Sequence, residues 1–220
     1  MKVFSKFISI SNFKRLLLLL VLLFIYTFIC AFSYVNAVST NIQDSVFRLH
    51  VIANSDSYED QNLKYIVRDK VLQYINIIST NESSKEEVIA LANKNIDEIQ
   101  GIAENTIREN GYNYSIKLNI GNFAFPTKTY GDISFPAGFY DALKIEIGEA
   151  KGQNWWCVMF PPLCFVDVTS GVVPEESKEV IKENLSDEEY ELVSENSNDI
   201  SFKFKIIEMF QNIGIKLAQS

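Results

Sequence analysis

The stretch richest in reactive side chains is Asn-Trp-Trp-Cys-Val-Met-Phe-Pro-Pro-Leu-Cys-Phe at 154–165. Cys157 and Cys164 bracket the adjacent prolines Pro161 and Pro162. Such a pair admits a disulfide, two buried thiols, or half of a metal site. A structural zinc needs about four ligands. Outside Cys30 the chain offers only these two cysteines and one histidine, His50, which argues against zinc. In an exported chain an even pair of cysteines favours a disulfide. The Pro-Pro pair turns the chain, which allows the Cα atoms to approach within the ~4.4–6.8 Å that a bridge requires. Two reduced, buried cysteines are the alternative.

His50 would have to serve any general base or Cys–His pair. It lies in Phe-Arg-Leu-His-Val-Ile-Ala at 47–53, just before Asn54-Ser55-Asp56-Ser57. A strand-end histidine beside Asn and Asp forms a polar cluster; a lone strand histidine is more often a structural residue. No Gly-x-Ser-x-Gly, His-Glu-x-x-His or P-loop occurs. Asp-Val-Thr-Ser-Gly at 167–171 has one residue too many for an aspartic-protease signature. The carboxylates leave a glycosidase pair open, but nothing singles one out. No catalytic residue, metal or cofactor is therefore assigned. Trp155 and Trp156 are adjacent, and neighbours on a strand point to opposite faces. One is expected in the core and the other outward. The outward one, with Phe160, Pro161 and Pro162, would make an aromatic anchor for a partner; the alternative is that both tryptophans are packed structural residues.

The elements that carry these residues begin with an export signal. Lys2, Lys6, Lys14 and Arg15 precede an uncharged apolar run at 16–30, and Val35 and Ala37 fit the −3 and −1 positions of a cleavage site. Residues 16–32 also reach the lower limit of a membrane span, about 17 residues, so an uncleaved anchor is the alternative. Residues 1–37 are thus read as signal or anchor, and 45–220 as one exported domain. Four of the 20 basic residues precede Leu16; the remaining 16 face 28 acidic ones, a formal charge of −12 after the signal. That balance argues against nucleic acid, whose phosphates call for a basic face.

Residues 47–53 read as a strand. Ser57-x-x-Asp60 opens a helix with apolar positions Leu63, Ile66, Val67, Val71, Tyr74 and Ile78. Ser84-x-x-Glu87 opens another, predicted as one long helix from the stripe Val88, Ala92, Ile96, Ile99 and Ala103, with Gly111 beyond its end. Alternation predicts strands over 114–120, 143–147 and 155–160. Gly131-Asp132 predicts a hairpin, and Pro136-Ala137-Gly138 a turn. Pro174 opens a helix to about Leu185, Ser186-x-x-Glu189 caps a short one, and Ile206, Met209, Phe210, Ile213 and Leu217 mark a terminal one. This order predicts an α+β fold with a largely antiparallel sheet packed with helices.

Three blocks carry a family resemblance. Phe-Arg-Leu-His-Val-Ile-Ala-Asn-Ser-Asp-Ser at 47–57, with Glu-Asp-Gln-x-Leu-Lys at 59–64 and Val-Arg-Asp at 67–69, is the first. Phe-Pro-Thr-Lys-x-Tyr-Gly at 125–131, Pro-Ala-Gly-x-Tyr at 136–140 and Ala-Leu-x-Ile at 142–145 form the second. The third, Gly-Glu-Ala-Lys-Gly-Gln-Asn-Trp-Trp-Cys-Val-Met-Phe-Pro-Pro-Leu-Cys-Phe at 148–165, is the most distinctive. Together they resemble stage II sporulation protein R over about 45–168; Met159 stands where leucine is expected, and no diagnostic motif follows residue 172.

The resemblance implies a non-enzymatic signalling protein of endospore formers, made in the forespore and exported into the intermembrane space. There it would trigger a membrane-embedded aspartic protease of the mother cell, which removes the pro-sequence of sigma-E. On this reading 155–165 is a stapled strand and loop presenting a protein-binding surface, and His50 to Asp56 a polar patch. The partner-binding candidates are Arg48, His50, Asn54, Asp56, Trp155, Trp156, Phe160, Pro161 and Pro162. An exported cell-wall hydrolase using a carboxylate or His50 is the competing expectation, and a tethered envelope protein a third.

Overall fold

A computed structural model describes residues 10–164 and 173–194. Phe165, the 167–171 segment and the predicted terminal helix lie outside the described residues. Helix α1 (Ile10–Asp44) carries the apolar run. It is long and apolar enough to cross a membrane. Its last turns do not hang free: Ser39 and Ile42 are buried in the folded unit, and Asn41 Nδ2 donates to Glu189 Oε1 at 2.7 Å.

The sheet is α+β in connection and mostly antiparallel. Strands β1 (Phe47–Ile52), β2 (Ile116–Phe125), β5 (Gly138–Ile147) and β6 (Asn154–Phe160) lie in the order β2-β5-β1-β6. β2 pairs antiparallel with β5, and β6 antiparallel with β1. The central pair, β1 with β5, is parallel. Strands β3 (Lys128–Tyr130) and β4 (Ile133–Phe135) form the predicted hairpin, with Gly131 at φ 58°. Two strands are longer than their alternation predicts. β2 continues to Phe125, and β5 begins at Gly138, inside the predicted turn, where it pairs with Phe125. Ladder hydrogen bonds carry these strands past the point where side-chain periodicity fades.

Helix α2 (Tyr58–Ile78) starts as predicted, with Ser57 Oγ accepting from Asp60 N. The long helix is instead two, α3 (Lys85–Lys94) and α4 (Ile96–Glu109). They part at Asn95, whose side-chain amide bonds Leu91 O at 2.8 Å. Asparagine competes for backbone groups in this way and ends helices. α3 opens on a full capping box between Ser84 and Glu87. Helices α5 (Glu175–Asn184) and α6 (Asp187–Ser194) follow Pro174 and Ser186.

β1 is buried on both faces because two cores meet at it. Phe47, Leu49 and Val51 join Leu63, Val67, Val71, Ile99 and Ala103 under α2–α4. On the other face Ile42, Phe125, Phe135, Tyr140, Val158, Leu163 and Ile181 form a second core beneath the hairpin, the end of α1 and α5–α6.

Candidate interaction face

The second core covers only part of its side of the sheet. Strand register shows what lies along its edge, with Trp156 packed against it. His50 on β1 is flanked by Trp156 on β6 and by Lys144 on β5, and Lys144 by Asn119 on β2. The next row, one pleat on, is Asn154, Ile52, Glu146 and Lys117. Four strands thus deliver two transverse rows to one face. Asn119, Lys117 and Asn154 are exposed, Trp156, Lys144 and Glu146 are half-buried, and His50 and Ile52 are buried between them.

The rows are ordered by stacking and charge. The imidazole of His50 stacks on Trp156 with centroids 3.6 Å apart and planes 20° from parallel. Its Nε2 lies 2.7 Å from Asn154 Oδ1. Phe125 meets both rings edge-on, at 6.0 Å from His50 and 4.7 Å from Trp156. Burial lowers the His50 pKa to about 4. His50 is therefore neutral at pH 7, and an imidazole that acidic is a weak proton acceptor. Lys144 Nζ lies 2.7 Å from Glu146 Oε1, and Lys117 Nζ 3.5 Å from Glu146 Oε2. The Lys144 hydrogen bond chiefly holds Glu146 below its usual value.

The other candidates lie elsewhere. Trp155 points to the opposite face, half-buried against Tyr65 and under the Arg68 guanidinium at 4.2 Å. The tryptophans thus take opposite faces, with neither wholly in the core. Arg48, Phe160 and Pro161 are buried, so their side chains are not surface contacts; Pro162 is exposed. Cys157 and Cys164 are joined as a disulfide with Cα atoms 5.1 Å apart. It fixes a loop in which Leu163 N donates to Val158 O at 3.0 Å. Ser177 Oγ ties that loop to α5 through Pro162 O.

Asn54 belongs to a loop clamp. Its Nδ2 donates to Asp60 Oδ2 at 2.8 Å while its Oδ1 accepts from Glu149 N at 3.0 Å. Burial opposes ionisation of Asp60, but hydrogen bonds from Ser55 and Asn54 outweigh it and keep its pKa low. Lys64, buried, spans from Gln61 Oε1 to Gln153 O. Asp56 stays exposed outside the clamp. Among the described residues no cluster of His, Cys, Asp and Glu could hold a metal ion.

Sequence reasoning missed Lys117, Asn119, Lys144, Glu146 and Asn154 as members of one face. Nothing local marks them, because only the strand order brings β2 and β6 to the two sides of β1 and β5.

These features define an α+β domain carried on an apolar helix of membrane length. A family model for stage II sporulation protein R matches residues 43–170. Stage II sporulation protein R of Bacillus subtilis (strain 168) is 43% identical over 143 residues, 64% of each chain. The chain belongs to the stage II sporulation protein R family, which gives it a role in sporulation. No solved structure matches it. The matched span takes in every strand among the described residues and both rows of the face, and it stops before α5.

Proposed function

We propose that this protein is a secreted sporulation signal that activates a membrane-embedded aspartic protease of the mother cell, which then processes the pro-form of sigma-E. It acts as a ligand, exported from the forespore with α1 as its signal or anchor, and performs no chemistry itself. The observation that carries this reading is the two-row face. Its single histidine is spent on stacking and on Asn154 rather than on a nucleophile. The face offers instead what protein recognition uses, a half-buried tryptophan ringed by polar groups. The disulfide from the middle of β6 and the Asn54 clamp on the loop leading into it hold that tryptophan's strand in place.

The test is reconstitution in a host that does not sporulate. This chain, the protease and the sigma-factor precursor are co-expressed, and removal of the pro-sequence is followed. Cleavage that requires this chain supports the reading. Absence of cleavage with all three proteins folded and this one exported counts against it.

A further inference from the structure

The row behind the face holds a buried charge. Arg48 is fully buried on β1, next to the His50 row, between Val158 and Ala142. Three rings surround its guanidinium: Phe125 at 4.2 Å, Tyr140 at 4.6 Å and Phe135 at 5.9 Å. Its Nη2 donates to Tyr130 Oη at 2.9 Å, while Nε and Nη1 have no hydrogen-bond partner among the described residues. No carboxylate pairs with it among the described residues. Rings over a guanidinium recover part of the cost of burial. Even so, an apolar side chain of similar volume would generally fill such a place at no loss. Packing alone does not account for the charge.

Two routes lead from this charge to the face. Tyr130 Oη, held by Arg48, lies 3.2 Å from the Trp156 carbonyl and donates to it. Phe125, under the guanidinium, is the ring that stands edge-on to both His50 and Trp156. One route fixes the backbone of Trp156 and the other its ring. We propose that Arg48 is the positioning residue of the interaction face: through Tyr130 and Phe125 it sets where Trp156, stacked on the buried His50, stands to meet a protein partner. The partner half of this statement rests on the function proposed above, whereas the positioning half does not.

The experiment takes the full chain in detergent micelles as Arg48→Met, Arg48→Lys and Tyr130→Phe. It reads the thermal midpoint, the His50 titration by NMR, tryptophan fluorescence, and protease activation in the co-expression assay. Arg48→Met is expected to keep its thermal midpoint, while the His50 titration moves up toward the ordinary imidazole range and activation falls at least tenfold. Arg48→Lys, which keeps a cation and a donor for Tyr130, recovers part of both. Tyr130→Phe removes one hydroxyl, leaves the cage, and moves the tryptophan signal; it decides the matter if Arg48→Met does not fold. Unmoved His50 and tryptophan signals in the folded variants overturn the positioning role. Moved signals with full activation uphold positioning and overturn the reading of the face.

Discussion

His50 shows how a titratable group is turned into a packed support for the face. Burial holds its folded-state pKa near 4, against the ordinary 6.5. The unfolded chain therefore takes up a proton first as pH falls, and stability drops with it. The contribution is complete above about pH 6.5 and is lost progressively toward pH 4, by at most ~3 kcal/mol. His50→Gln should flatten that part of the profile, read as urea midpoints at pH 7 and pH 4.5 for both proteins. Equal slopes in the two would mean that the imidazole is not held neutral. Trp156→Ala should lower protease activation at least tenfold while the fold survives, since the ring is half-buried and its partner rings lie on strands fixed by other contacts. Far-UV circular dichroism alongside the activation assay distinguishes this from unfolding.

At the scale of elements, two devices brace β6. The disulfide closes a short loop, so its loss through Cys157→Ser should cost the low end of ~2–4 kcal/mol, seen as a lower denaturation midpoint. Gly148 is the second. Its φ is +58°, and a Cβ there would collide with Asn54 Oδ1, the acceptor of Glu149 N. Gly148→Ala should therefore destabilise by about 1–3 kcal/mol, and loosen the clamp on the loop between β5 and β6. The strands and most helix starts were legible in the sequence because alternation and Ser-x-x-Asp/Glu caps are local signals. The break at Asn95 was not, since the apolar stripe runs through it and only a side-chain bond to Leu91 ends the helix. Nor was the face: His50 and Trp156 could be suspected from their types, but Lys144 and Asn119 became their neighbours only through a parallel β1–β5 pair that no local pattern announces.

For the whole molecule, the junction between α1 and the domain matters most. Residues 38–44 continue helix α1, yet Ile42 lies in the second core and Ser39 is buried as well. Processing after Ala37 would leave those residues with the domain. Ile42→Ala should then cost about 2–5 kcal/mol, in the cleaved form as much as in the anchored one, measured by chemical denaturation. A cost below 1 kcal/mol would show that the helix end does not belong to the core. The covered face under α2–α4 and the open two-row face give the domain two unlike sides, and α1 enters from the side of the second core, the side that also bears the rows.

The most direct test of the central claim is site-specific photo-crosslinking in sporulating cells. A photoreactive residue is placed at Asn119, in the His50 row, or at Glu86, exposed on α3. A crosslink to the membrane protease from position 119 and none from position 86 is the predicted result. A crosslink from position 86 alone, or from neither with signalling intact, would contradict the assignment of this face.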